Sequence, residues 1–121
     1  MTEAGSQYLA MTKANNVIAD RIHKLSETDS IATWQSEMTN YAKACDTLAR
    51  ALIGGHWPIE AQAAAQRLAT DALSERAVLQ EASSTTSVLA LSSAISAQTS
   101  VFTAAKADAA AFRIILGLPS N

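Results

Sequence analysis

The chain has 121 residues and a formal net charge of −2, and 49% of its residues are hydrophobic against 17% charged. This length suits one domain, on a scale of roughly 100–200 residues per domain, and leaves no room for a second. Because nucleic-acid binding draws on clustered Lys and Arg, the weakly acidic balance argues against nucleic acid as a partner.

The first predicted helix runs from about residue 2 or 6 to residue 25. Its apolar residues recur at spacings of three and four, the pattern of a helix buried along one face, and they are Tyr8, Met11, Val17, Ile18, Ile22 and Leu25. Asn15 falls where this stripe calls for an apolar residue. Either it fixes the register of the packed helices, or the helix rotates slightly and leaves Asn15 solvated.

The second predicted helix, at about 30–53, carries the clearest stripe. Its members are Ile31, Trp34, Met38, Tyr41, Cys45, Leu48 and Leu52. The preceding turn is dense in capping residues, so Asp29 or Ser30 is the expected N-cap, and its shortness makes the first two helices antiparallel neighbours. Cys45 is the single cysteine, and we interpret it as a small buried hydrophobe. Gly54 and Gly55 are expected to end the helix in left-handed conformations.

The third predicted helix, at about 58–82, opens on a proline, which suits the first turn of a helix. Its stripe consists of Ala61, Ala65, Leu68, Ala72 and Leu79, small residues that let neighbouring backbones approach closely. Trp57 is expected to fold over the end of the bundle.

The fourth predicted helix, at about 86–116, follows a cluster of hydroxyl residues that can cap it. A bend near Ser92 and Ser93 is one expectation. Gly117 is the expected residue after the C-cap, with Leu118 folding back onto the last turn. Four helices with short connections predict an all-α domain over residues 1–121, an antiparallel up-down-up-down four-helix bundle.

No charged residue occurs between Ala82 and Ala105, although hydroxyl side chains are frequent there. A spanning helix needs about 20 predominantly apolar residues, so no transmembrane span is expected. Two interpretations stay open: neighbouring helices cover this stretch, or a second copy or partner protein covers its outer face. The candidate interface residues are Trp57, Ser92, Ser96 and Ser100.

Catalytic chemistry has little support in the residue pattern. Asp20, His23 and Glu27 share one face of the first helix, but a rotation of about 100° per residue places them opposite its apolar face, as an ordinary charged surface. His56 is interpreted as a loop residue. Zinc, phosphate-loop and nucleophile-elbow motifs are absent, so we expect no catalytic residue, no metal site and no cofactor.

Alignment of the helix ends predicts that Asn15, Tyr41 and Gln98 lie at one level of the bundle. Buried polar groups must be paired, so these side chains can form a hydrogen-bonded layer that specifies register. The alternative is a small pocket between the helices with a few convergent polar groups.

Several features of the second half resemble a group of small helical extracytoplasmic proteins, among them predicted lipoproteins, of actinobacteria. These features are Trp57 and Pro58 opening an Ala/Gln-rich helix, a further Ala-rich helix, and the terminal run from Arg113 to Pro119. The resemblance implies a cell-envelope location if a signal has been removed; no secretory signal or lipid-accepting cysteine is visible, and a natural start would place the protein in the cytoplasm.

Two functional hypotheses follow. The first is a non-catalytic interaction or structural module, which binds a protein partner or forms a homo-oligomer. The second is a carrier or sensor for a small apolar ligand, which predicts a cavity beside the alanine-rich third helix.

Overall fold

The computed structural model describes residues 2–120, and Met1 and Asn121 lie outside the described residues. Within this range the chain forms α1 (Glu3–His23), α2 (Ile31–Gly54), α3 (Ile59–Ser83), α4 (Val88–Ser96) and α5 (Thr99–Ile115), and no strand. The prediction of an all-α fold is confirmed. The prediction of one continuous fourth helix is wrong, because a bend of 56° separates α4 from α5.

The helix N-termini are capped by hydroxyl side chains. The Ser30 hydroxyl accepts a hydrogen bond from the Thr33 backbone N–H at 3.1 Å, so the prediction of Ser30 as an N-cap is confirmed. The Thr2 hydroxyl accepts from the Gly5 N–H at 3.0 Å, and Ser87 caps α4 in the same way. Such caps satisfy backbone donors that have no partner within the helix.

The C-terminus of α5 is closed by a left-handed glycine, as the sequence predicted. Gly117 has φ 77°, the only positive φ among the described residues. The Leu118 N–H donates to the Arg113 carbonyl at 2.8 Å, and the Gly117 N–H donates to that of Ile114 at 3.0 Å. This hydrogen-bond pair is the Schellman motif, and it turns Leu118 back into the core.

The expectation that Gly54 and Gly55 adopt left-handed conformations is wrong. Gly55 has φ −74° and is extended. A Cβ on Gly55 would lie 2.7 Å from the indole of Trp57, so this glycine provides space for the tryptophan ring.

The bend between α4 and α5 lies at Ala97 and Gln98, beyond the predicted position at Ser92 and Ser93. The Thr99 hydroxyl donates to the Ser96 carbonyl at 2.8 Å, and Gln98 leaves the helical region at φ −117°. Hydroxyl groups that bond to nearby carbonyls offer the backbone an alternative to the helical ladder.

Close packing of α2 against α3 forms the centre of the fold. The alanines of α3 have almost no exposed surface, with Ala61 at 0%, Ala65 at 1% and Ala72 at 1%. Their small side chains let the two helix axes approach, as predicted. α1 packs mainly on α2, whereas α4 and α5 pack on α3.

Three aromatic rings close the end of the molecule at which α1 begins and α5 ends. The Phe112 ring contacts the rings of Tyr8 and Trp57 edge to face, each at a centroid distance of 5.0 Å. The Trp57 indole N–H donates to the Leu52 carbonyl at 2.7 Å. These contacts join α1, α5 and the turn between α2 and α3.

No single helix among residues 2–120 has the length and hydropathy of a membrane span, in agreement with the sequence expectation. α4 and α5 meet those criteria only as a pair, across their bend.

Replacement of Phe112 by alanine is expected to lower the free energy of unfolding by about 3–5 kcal/mol, because it leaves a cavity where a fully buried ring was. Chemical denaturation followed by circular dichroism measures the change. Ile114→Ala is the control, since Ile114 is 64% exposed, and it should change stability by no more than about 0.5 kcal/mol. Equal losses in both variants would contradict the central role of Phe112.

Candidate functional site

An apolar groove lies between α1 and α4, at the end of the molecule opposite the aromatic rings. Its volume is about 1040 Å³, and it is open along one side. One wall comes from α1 and the following turn: Ala19, Ile22, His23, Leu25, Ser26 and Glu27. The opposite wall comes from α4: Val88, Leu89, Leu91, Ser92, Ile95 and Ser96. The floor consists of Trp34, Met38, Tyr41, Leu79 and Phe102. We refer to this feature as the α1–α4 groove.

The groove exists because its two walls pack on different helices. α1 packs on α2 and α4 packs on α3, while α1 and α4 make little direct contact. The bend at Gln98 sets α4 at 56° to α5, so α4 does not continue along the path that α5 takes across the core. Apolar surface that a closed bundle would bury therefore lines the groove.

Hydrogen bonds hold the floor and the neighbouring turns in place. The Trp34 indole N–H donates to the Ser26 carbonyl at 3.0 Å, which ties the floor to the turn after α1. The Gln35 amide donates to the Thr85 carbonyl at 2.6 Å, which ties α2 to the turn before α4. Both walls are thus anchored to α2.

The floor is electrically neutral at Tyr41. Burial is the main cause that raises the pKa of the Tyr41 phenol well above its usual range, and the nearby Glu75 carboxylate raises it further. The phenol therefore keeps its proton at neutral pH and can donate or accept a hydrogen bond.

The predicted polar layer forms only in part. The Asn15 amide reaches the Cys45 sulfur at 3.9 Å, and Tyr41 lies close enough to Cys45 for the two to interact electrostatically. Gln98 is exposed at the bend between α4 and α5, so it does not join Asn15 and Tyr41 in a buried layer. The bend is the reason, since the prediction assumed a straight fourth helix.

The candidate interface residues divide into two groups. Trp57 is 8% exposed and belongs to the core, so it is not available as free surface. Ser92, Ser96 and Ser100 are exposed. The first two of these serines also line the groove.

The charged triplet predicted on α1 has its outward position: Asp20, His23 and Glu27 are all exposed. His23 and Glu27 stand at the edge of the groove. His56 is exposed in the turn after α2. Over residues 2–120 no three His, Cys, Asp or Glu side chains are grouped so that they could hold a metal ion.

Sequence reasoning missed an acid that points into the helical core. The predicted stripe of α3 left a gap of seven residues between Ala72 and Leu79, and Glu75 fills that gap at the same three-four spacing. Burial, with a smaller contribution from Asp71, raises the pKa of the Glu75 carboxyl to about 7. The gap was the signal that could have found it.

Two further groups near Glu75 are also perturbed. Burial raises the pKa of the Cys45 thiol to about 12, so its reactive thiolate is not populated at neutral pH. Burial and a hydrogen bond with Asp108 raise the pKa of Asp71 to about 6. The thiol therefore packs as a hydrophobe, in line with its predicted structural role.

Comparisons with known proteins find no match among family models, curated proteins or solved structures. The resemblance to actinobacterial extracytoplasmic proteins and the envelope location that it implies thus stay predictions from the residues alone.

The free energy of unfolding is expected to fall as pH rises from about 4.5 towards 7. Glu75 binds its proton more tightly in the folded chain than in the unfolded chain, so its stabilising contribution is complete at low pH and disappears as pH passes the raised pKa. Glu75→Gln should remove this part of the dependence and stabilise the protein at pH 8 by about 1–3 kcal/mol.

Urea denaturation over a pH series measures this difference. Glu81→Gln is the matched control, because Glu81 is an exposed acid on the same helix. A Glu75→Gln variant that parallels the parent chain across the series would contradict the assignment.

Proposed function

We propose that the protein is a non-catalytic binding module whose α1–α4 groove receives the apolar face of a helix from a protein partner. In this proposal α4 and α5 together act as the fourth arm of an up-down-up-down bundle. The observation that carries it is the groove itself, two helical walls over a floor of large apolar side chains. Grooves of this construction bind amphipathic helices through residues at three-four spacing.

The chemistry of the groove supports an apolar occupant. Its floor includes Trp34, Met38 and Phe102, and its α4 wall has no charged residue. Tyr41 adds a neutral hydrogen-bonding group rather than a charge. Polar side chains occur at the edges, the usual arrangement of an interface with an apolar centre and a polar rim.

A small apolar ligand is the alternative occupant, and two observations favour a helix over it. That alternative predicts space beside α3, but the α3 alanines are buried against neighbouring helices, and Leu79 is the α3 residue in the groove. The groove volume of about 1040 Å³ also lies at the upper limit of small-molecule sites, which measure roughly 300–1,000 Å³ and enclose most of the ligand.

A synthetic peptide with leucine along one helical face and glutamine along the other tests the proposal. Fluorescence anisotropy of the labelled peptide should report saturable binding to the full chain. Ser92→Arg should weaken binding at least tenfold, or about 1.4 kcal/mol, because Ser92 lines the groove and an arginine there would obstruct it.

Ser93→Arg is the matched control, since Ser93 is exposed on the same helix and does not line the groove. It should bind the peptide like the parent chain. Equal affinity of all three proteins, or no binding by any of them, would overturn the proposed function.

A further inference from the structure

The outer face of α4 is apolar and uncharged, and it borders the α1–α4 groove. Leu89 is 78% exposed, and Ser92, Ser93 and Ser96 are exposed beside it. The stretch without charge extends from Ala82 to Ala105, with Glu81 and Lys106 at its two ends. A leucine with this exposure at the mouth of an apolar groove is available for contact with another molecule.

The lack of charge favours a second copy of the same chain as the occupant. In a two-fold symmetric contact the same patch lies on both sides, so any charge near the axis would meet its own like charge. The α4 face contains none, and therefore faces itself without electrostatic penalty. The net charge of −2 on each chain adds little repulsion between copies.

We propose that two copies associate through their α4 faces, with Leu89 of each copy entering the α1–α4 groove of the other. This inference rests on the proposed function, because it names the helix that the groove receives. The serines beside Leu89 are short, which lets two α4 helices approach closely. The apolar floor at Trp34 and Met38 provides the surface against which a leucine side chain would be buried.

The size of α4 sets the strength of this dimer. Its nine residues span only about 13 Å at 1.5 Å per residue, less than the surface of a tight interface, which buries about 800 Å² on each partner. The groove walls must supply the rest of the area. A dissociation constant in the micromolar range is therefore expected, rather than an obligate dimer.

Sedimentation velocity over a concentration series of the full chain tests the dimer. The parent chain should change from monomer to dimer as concentration rises, and Leu89→Glu should raise the dissociation constant at least tenfold. Ile59→Glu is the matched control, because Ile59 is 79% exposed but begins α3, at the end of the molecule away from the groove. It should dimerise like the parent chain.

A mixture of Leu89→Glu and Leu89→Lys chains gives an independent readout. Each variant alone should be monomeric, while the mixture should form a heterodimer because opposite charges then meet across the interface. Circular dichroism of each variant should match that of the parent chain.

A parent chain that stays monomeric at millimolar concentration would overturn the dimer, as would a dimer that Leu89→Glu leaves intact. Peptide binding in the groove, measured at concentrations where the chain is monomeric, separates this failure from failure of the proposed function. A monomer that still binds the peptide would point to another protein as the occupant.

Discussion

The contacts of the Phe112 ring with Tyr8 and Trp57 are the interaction on which the rest of the structure depends. They join the start of α1, the end of α5 and the turn between α2 and α3, so one aromatic residue connects parts of the chain that are distant in sequence. Edge-to-face ring pairs add about 0.5–1.5 kcal/mol each to the burial of the rings. They close one end of the molecule and leave the opposite end to be shaped by other side chains.

The distribution of side-chain size explains why that opposite end is open. Alanines dominate the contact of α3 with α2, and the backbones approach one another. Larger side chains, such as Trp34, Met38 and Phe102, collect where α1 and α4 face each other. Since α1 and α4 are fixed to different helices, these side chains line a groove instead of filling a closed core. The candidate site is thus a consequence of how the core is packed.

Glu75 and Tyr41 link the core to this site. A carboxyl at a core position of α3 is costly to ionise, and its charge in turn makes the Tyr41 phenol harder to deprotonate. Around neutral pH the groove floor is consequently uncharged at Tyr41. An uncharged floor suits the apolar helix that we propose as its occupant.

Local chemistry let several features be predicted from the sequence. The three-four spacing of apolar residues determined where helices form, and capping residues determined where they begin and end, as at Ser30 and Gly117. These signals act within a few residues, so they survive without knowledge of the fold. The alanine content of α3 similarly indicated close helix packing.

Only the tertiary structure decided the features that depend on distant partners. The bend at Gln98 moved that residue out of the polar layer, and Trp57 became a core residue because Phe112 lies beside it. The α1–α4 groove arises from which helices α1 and α4 pack on, and Glu75 is perturbed because α2 covers it with Tyr41 and Cys45. The sequence by itself therefore determined the helices and their ends, whereas the candidate site depends on how their apolar faces meet.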